Sequence, residues 1–204
     1  MDKRKLHHLL VLMRNIHYYA LIGLCVLFAV IALLALRGNN QRMVVLRSAV
    51  FTADEKNGDT ETALQNLRKY VFAHMNTGLA SGANAVKPPI QLKYRYERLA
   101  AAEKAAYDAA NAQMLSSAEA TCVAQYPGSV FSQPRLECAK AYAASHAISQ
   151  KTIPDDLYKF DFASPKWSPD LAGWSIVLAV FFLLLFVIRF ASEQLIRTEL
   201  KSRS

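Results

Sequence analysis

Along this chain, uninterrupted apolar blocks alternate with segments in which apolar residues recur every three or four positions. The first block covers residues 15–36, with no charged residue between Arg14 and Arg37. At about 1.5 Å of rise per residue it makes roughly 33 Å of helix, enough to cross the hydrocarbon of a bilayer. A helix at the surface of a soluble core would carry a polar face. From Ile16 to Leu36 the polar exceptions, His17, Tyr18 and Tyr19, all sit at the amino end, where amphipathic side chains favour the membrane interface. A second block, residues 171–188, is entered past Trp167 and Trp174, whose indoles suit the headgroup level, and is closed by Arg189.

Between the blocks the periodicity predicts helices. Val44, Val45, Ser48, Phe51, Thr52 and Glu55 carry the first helix past the membrane to about Lys56, where Asn57 and Gly58 tolerate left-handed backbone angles and break it. Asp59 or Thr60 then caps a helix with Leu64, Leu67, Val71 and Met75 on one face, ending near residues 76–78. Residues 79–86 are small and polar and read as a flexible loop ahead of Pro88 and Pro89. Residues 90–125 contain neither Gly nor Pro, and Leu92, Tyr96, Leu99, Ala102, Ala106, Ala110 and Met114 form a packing stripe whose small residues admit close approach of another helix. A fourth helix is expected over residues 135–149. Pro154, Pro165 and Pro169 separate it from the second block, and Tyr158, Phe160 and Phe162 alternate with Lys159 and Asp161 as a short extended piece with an aromatic face. Residues 190–204 suit either a short helix along the membrane surface or a continuation of the span.

The fold class that follows is an all-α membrane protein. Two transmembrane helices, residues 15–36 and 171–188, flank an extracytoplasmic domain of about four helices over residues 37–170, with basic tails at residues 1–14 and 189–204. Arg14, Tyr18, Tyr19, Trp167, Trp174 and Arg189 are the expected interface anchors.

Three cysteines refine this picture. Cys122 and Cys138 lie equidistant from Val130, the centre of a turn marked by Pro127, Gly128 and Pro134, so an antiparallel helical hairpin places them opposite each other. A disulfide there adds about 3 kcal/mol and persists outside the cytoplasm. Two unrelated buried thiols remain the alternative, since connectivity does not follow from sequence alone. Cys25, inside the first block, reads as a small apolar filler.

The net charge of +8 looks like a nucleic-acid signal until it is divided along the chain. The two tails hold eight basic and three acidic groups, so the excess lies mainly beside the membrane blocks, as in segments retained on the cytoplasmic side. Within about 15 residues of a span, eight basic groups fall on the proposed inner side and five on the outer, Arg37, Arg42, Arg47, Lys159 and Lys166. Both termini are therefore expected in the cytoplasm of a bacterial cell, with the first block an uncleaved signal anchor; a cleaved leader is the lesser alternative, because residues 36–39 offer no small-x-small site.

Chemistry adds little. His7 with His8, His74, Ser145 with His146, and Asp155 with Asp156 are the polar clusters, and none has the spacing of a metal site, a nucleophile elbow or a phosphate loop. No catalytic residue, cofactor or metal is assigned. The layout resembles the sensory half of bacterial chemoreceptors and sensor kinases, without a shared motif, and only 16 residues follow the second span. The expectation is an anchored structural or assembly subunit of a membrane or cell-envelope complex. Its partners would be the bilayer and another protein or a second copy, not nucleic acid. A ligand-sensing subunit working through a separate partner is the alternative, with the ligand unknown, and an enzyme is the third class.

Overall fold

A computed structural model describes residues 17–80 and 85–202. The basic tail with Arg14, and residues 81–84 of the expected loop, lie outside them. Five α-helices are present among the described residues: α1 (Tyr18–Glu55), α2 (Thr60–Ala73), α3 (Lys93–Gln125), α4 (Gln133–Ser145) and α5 (Leu171–Ser202). One two-residue strand pair joins β1 (Ile90–Gln91) to β2 (Lys159–Phe160).

Two of these helices, α1 and α5, are long and apolar enough to cross a membrane. Only 6% and 17% of their most apolar windows are buried by protein, whereas the core helix of a soluble protein would be covered. At 38 residues α1 is roughly 57 Å long, well beyond the hydrocarbon thickness, so it extends past the apolar block as its periodicity implied. Of the two readings for residues 190–202, the structure takes continuation: α5 is a single helix, supported by the i,i+4 pairs of Glu193 with Arg189 and Arg197.

The chain divides into two compact units. The first comprises residues up to Thr52, Asp59–Ala85 and Phe162 onward. Here α2 starts on Asp59, whose side chain accepts the Thr62 N–H at 3.0 Å, and it buries Thr60, Leu64, Leu67 and Val71 at three and four spacing. Met43 and Val50 of α1, and Leu79, are buried in the same unit. After Ala73 the hydroxyl of Thr77 donates to the carbonyls of His74 (2.6 Å) and Val71 (3.2 Å), which the end of α2 leaves open. The apolar parts of α1 and α5 meet where Phe28 stacks on Phe182, ring centroids 5.7 Å apart.

The second unit comprises Ala53–Gly58 and Val86–Asp161. Its first segment is the end of α1, closed by a Schellman turn: Gly58 N–H bonds the Ala53 carbonyl, Asn57 N–H bonds the Asp54 carbonyl, and Asn57 takes the left-handed conformation at φ 52°. β1 and β2 pair antiparallel, Ile90 opposite Phe160 and Gln91 opposite Lys159, and the Leu92 N–H bonds the Tyr158 carbonyl at 2.9 Å.

Three local expectations are corrected. Ile90 and Gln91 form a strand and Leu92 is the N-cap, so the helix expected from Ile90 starts at Lys93. Ile90 and Leu92 are fully buried around an exposed Gln91, a period of two that the helical stripe concealed because Leu92 also sits four before Tyr96. The fourth helix runs Gln133–Ser145, not residues 135–149. Proline is tolerated in a first turn, which lets Pro134 begin the helix, and at the far end the Ser145 hydroxyl takes the Tyr142 carbonyl and competes with the helical ladder. The extended aromatic piece shrinks to Lys159–Phe160, because β1 has only two residues, Ile90 and Gln91, before Leu92 takes the N-cap position of α3.

Candidate functional site

Polar side chains gather at two places that the hydrophobic pattern does not mark. The first is a collar in the unit that holds both apolar helices. Asp170 precedes α5 and accepts the Gly173 N–H at 3.0 Å through one carboxylate oxygen, capping that helix. Its other oxygen accepts from the Asn39 amide of α1 at 2.8 Å. Ser168 is buried and accepts the Met75 N–H at 3.1 Å, while Asn76 donates to the Leu36 carbonyl at 3.2 Å. Burial opposes ionisation of Asp170, but the Gly173 N–H, the Asn39 amide and the Ser168 hydroxyl outweigh it and hold the carboxyl below its usual range. Gly173 is required by close approach: a Cβ there would lie 1.8 Å from the Ser168 carbonyl oxygen.

The second place is a clasp in the other unit. Asp54, with 2% of its side chain exposed, accepts the backbone N–H groups of Tyr94 (3.1 Å) and Arg95 (2.7 Å) at the start of α3. Arg98 reaches back from the same helix, donating to the Asp54 carboxylate and to its main-chain carbonyl, each at 2.9 Å. Leu92, the residue before α3, makes no side-chain cap of its own, so the end of α1 supplies the acceptors that this helix start lacks.

Beyond the clasp, α3 and α4 form an antiparallel hairpin closed by a disulfide between Cys122 and Cys138, with α-carbons 5.8 Å apart. This is the pairing expected from the symmetric turn. Val130 and Phe131 project from the hairpin tip, Phe131 with 86% of its surface exposed. Between the helices lies a cavity of about 180 Å³ lined by Leu115, Ala118, Cys122, Val130, Arg135 and Leu136, among others.

The remaining sequence candidates distribute as follows. Leu92 is buried beside β2, Tyr96 packs on Tyr158 with ring centroids 4.8 Å apart, and Leu99 is half-buried. Ala102, Ala106 and Ala110 are exposed, and no residue from 101 to 113 is buried. The stripe therefore has a packed base and an open middle. Tyr18 and Tyr19 lie side by side at the start of α1, Trp167 and Trp174 meet edge to face 6.0 Å apart, and Arg189 is buried against Glu193. Cys25 is a free thiol.

The polar clusters are used locally. His74 stacks on Tyr70 and bonds its carbonyl. Ser145 Oγ lies 2.9 Å from His146 Nδ1, but that nitrogen also faces the Tyr142 carbonyl, so the pair finishes α4. Asp155 takes the Lys159 ammonium and the Tyr158 hydroxyl, both at 2.8 Å, and in that order these two partners hold its carboxyl below the usual range. Among the described residues no group of three His, Cys, Asp or Glu is placed to hold a metal ion.

Sequence reasoning missed Asp54, Asn39 and Asp170. An aspartate directly before an apolar run is an N-cap signal, and Asp170 could have been found on it. Compared with models of known protein families, with characterised proteins and with solved structures, the chain shows no match.

Proposed function

We propose that this chain is a membrane-anchored structural or assembly subunit of a membrane or cell-envelope complex, presenting the α3–α4 hairpin as its contact surface. In this reading the apolar parts of α1 and α5 cross the plasma membrane of a bacterial cell, both termini lie in the cytoplasm and residues 37–170 lie outside. The observation that carries it is the open middle of α3, where Ala102, Ala106 and Ala110 share a face and none of residues 101–113 is buried. Small side chains make a smooth face on which another helix can lie close. A second copy of the chain or a different helical partner would both suit it.

The test is co-purification in mild detergent. Replacing Ala102→Leu together with Ala106→Leu should reduce recovery of bound partner while leaving thermal unfolding of the chain unchanged, because both positions are exposed. Lost stability with partner recovery intact would put the stripe inside the fold and overturn the reading. Topology is tested separately, with a membrane-impermeant maleimide on intact cells. Cys122 and Cys138 should label only after a reductant is added, and protease should cut the region between the spans while sparing tags at both ends.

A further inference from the structure

We propose that the cavity between α3 and α4 is a binding site for a small monocarboxylate with a compact apolar body, held by Arg135. The inference does not rest on the assembly reading. It starts from a side chain out of place: Arg135 is 9% exposed, and its Nε has no hydrogen-bond partner among the described residues. A buried N–H without a partner is rare in a folded protein, so this Nε calls for an acceptor.

The walls say what kind of acceptor fits. Leu115, Ala118, Val130 and Leu136 make the lining mainly apolar, which disfavours a phosphate needing several donors. A carboxylate matches the guanidinium fork with two parallel bonds and leaves the rest of the ligand to the apolar wall. Arg135 also sits in the first turn of α4, where the helix field favours an anion. At about 180 Å³ the space is somewhat larger than the cavity of roughly 150 Å³ known to take benzene, so a single ring or a short branched chain bearing one carboxylate fills it. The Cys122–Cys138 bridge holds the two walls together before any ligand arrives, which lowers the cost of ordering. Glu119 lines the same cavity, is exposed, and forms no ion pair with Arg135 among the described residues; it opposes a second carboxylate and so weakens the site.

The experiment is calorimetric titration of the full chain in lipid nanodiscs with sodium benzoate, with benzyl alcohol as the uncharged counterpart. The wild type should bind benzoate saturably and prefer it to benzyl alcohol. Arg135→Met, which keeps length and removes charge, should weaken benzoate by about 10- to 100-fold, the loss of a charge-assisted hydrogen bond, while keeping benzyl alcohol and the wild-type unfolding temperature. Should Arg135→Met fail to fold, Glu119→Gln is the second variant, and it should tighten benzoate. No saturable benzoate binding to the wild type at millimolar concentration, equal benzoate affinity in Arg135→Met, or no gain in Glu119→Gln would each overturn the proposal.

Discussion

Removing the carboxylate of Asp54 should unlatch the start of α3, and the structure allows the size of the effect to be worked out. In Asp54→Ala the helix loses the acceptors for the Tyr94 and Arg95 N–H groups, a cap worth about 1 kcal/mol. It also loses the charged bond from Arg98. That term is held to about 1–2 kcal/mol, because the Arg98 side chain is 38% exposed and keeps its bond to the Asp54 main-chain carbonyl. Together these give about 2–3 kcal/mol, or roughly a 30- to 150-fold rise in the local opening equilibrium. Amide hydrogen exchange of the detergent-solubilised chain reads this directly at Tyr94 and Arg95, with the α3–α4 hairpin as an internal reference. Asp54→Asn keeps one acceptor and should fall between wild type and Asp54→Ala. The double variant with Arg98→Met should cost less than the sum of the two singles, since both remove one interaction. Exchange at Tyr94 and Arg95 within about twofold of wild type in Asp54→Ala would refute the assignment of Asp54 as the cap of α3.

Further measurements bear on the collar and the hairpin. Gly173→Ala should lower stability by about 2–3 kcal/mol in thermal unfolding, because its Cβ meets the Ser168 carbonyl oxygen, whereas Gly23→Ala, with nothing within 4 Å, should be neutral or slightly stabilising. Cys138→Ser should cost about 3 kcal/mol, as expected for a bridge across a sequence separation of 16, and should loosen the hairpin without disturbing the collar. Asp170 has a carboxyl held below its unfolded value of about 3.9, so its stabilising contribution is complete above that pH and is lost as pH falls through the lower folded value. An acid titration of the unfolding temperature should show this loss in the wild type and not in Asp170→Asn.

What could be read from the chain in advance depended on how far each residue lies from its partners. The apolar blocks, the break at Asn57, a cap at Asp59 or Thr60 and the Cys122–Cys138 pairing all rest on neighbours within about one hairpin, and each is present, with Asp59 as the cap. The strand at Ile90 was masked because Leu92 satisfies a period of two and a spacing of four at once. For the stripe, periodicity identified the shared face of Ala102, Ala106 and Ala110 but not that this face stays open, since spacing describes a side of a helix and not what lies against it. Asp54 meets its partners 40 to 44 residues away and Asn39 meets Asp170 at a separation of 131, distances at which a single polar residue carries no local signature. Arg135 had still less to announce it, because an arginine in a first turn is usually solvated.

The spread of those separations also sets an order in time. A chain made from its amino end delivers Asn39 long before Asp170, so the collar cannot close until all of the second unit and the approach to α5 have been synthesised. The hairpin of α3 and α4, closing over 16 residues, can be complete by then, whereas the Asp54 clasp waits only for the start of α3. Asn39 thus remains without its Asp170 partner through most of that interval, whereas the Leu36 carbonyl waits only for Asn76. A chain interrupted before Asp170 lacks the bond between Asn39 of α1 and the residue that caps α5, so the two apolar helices gain this polar tie only when α5 begins to emerge.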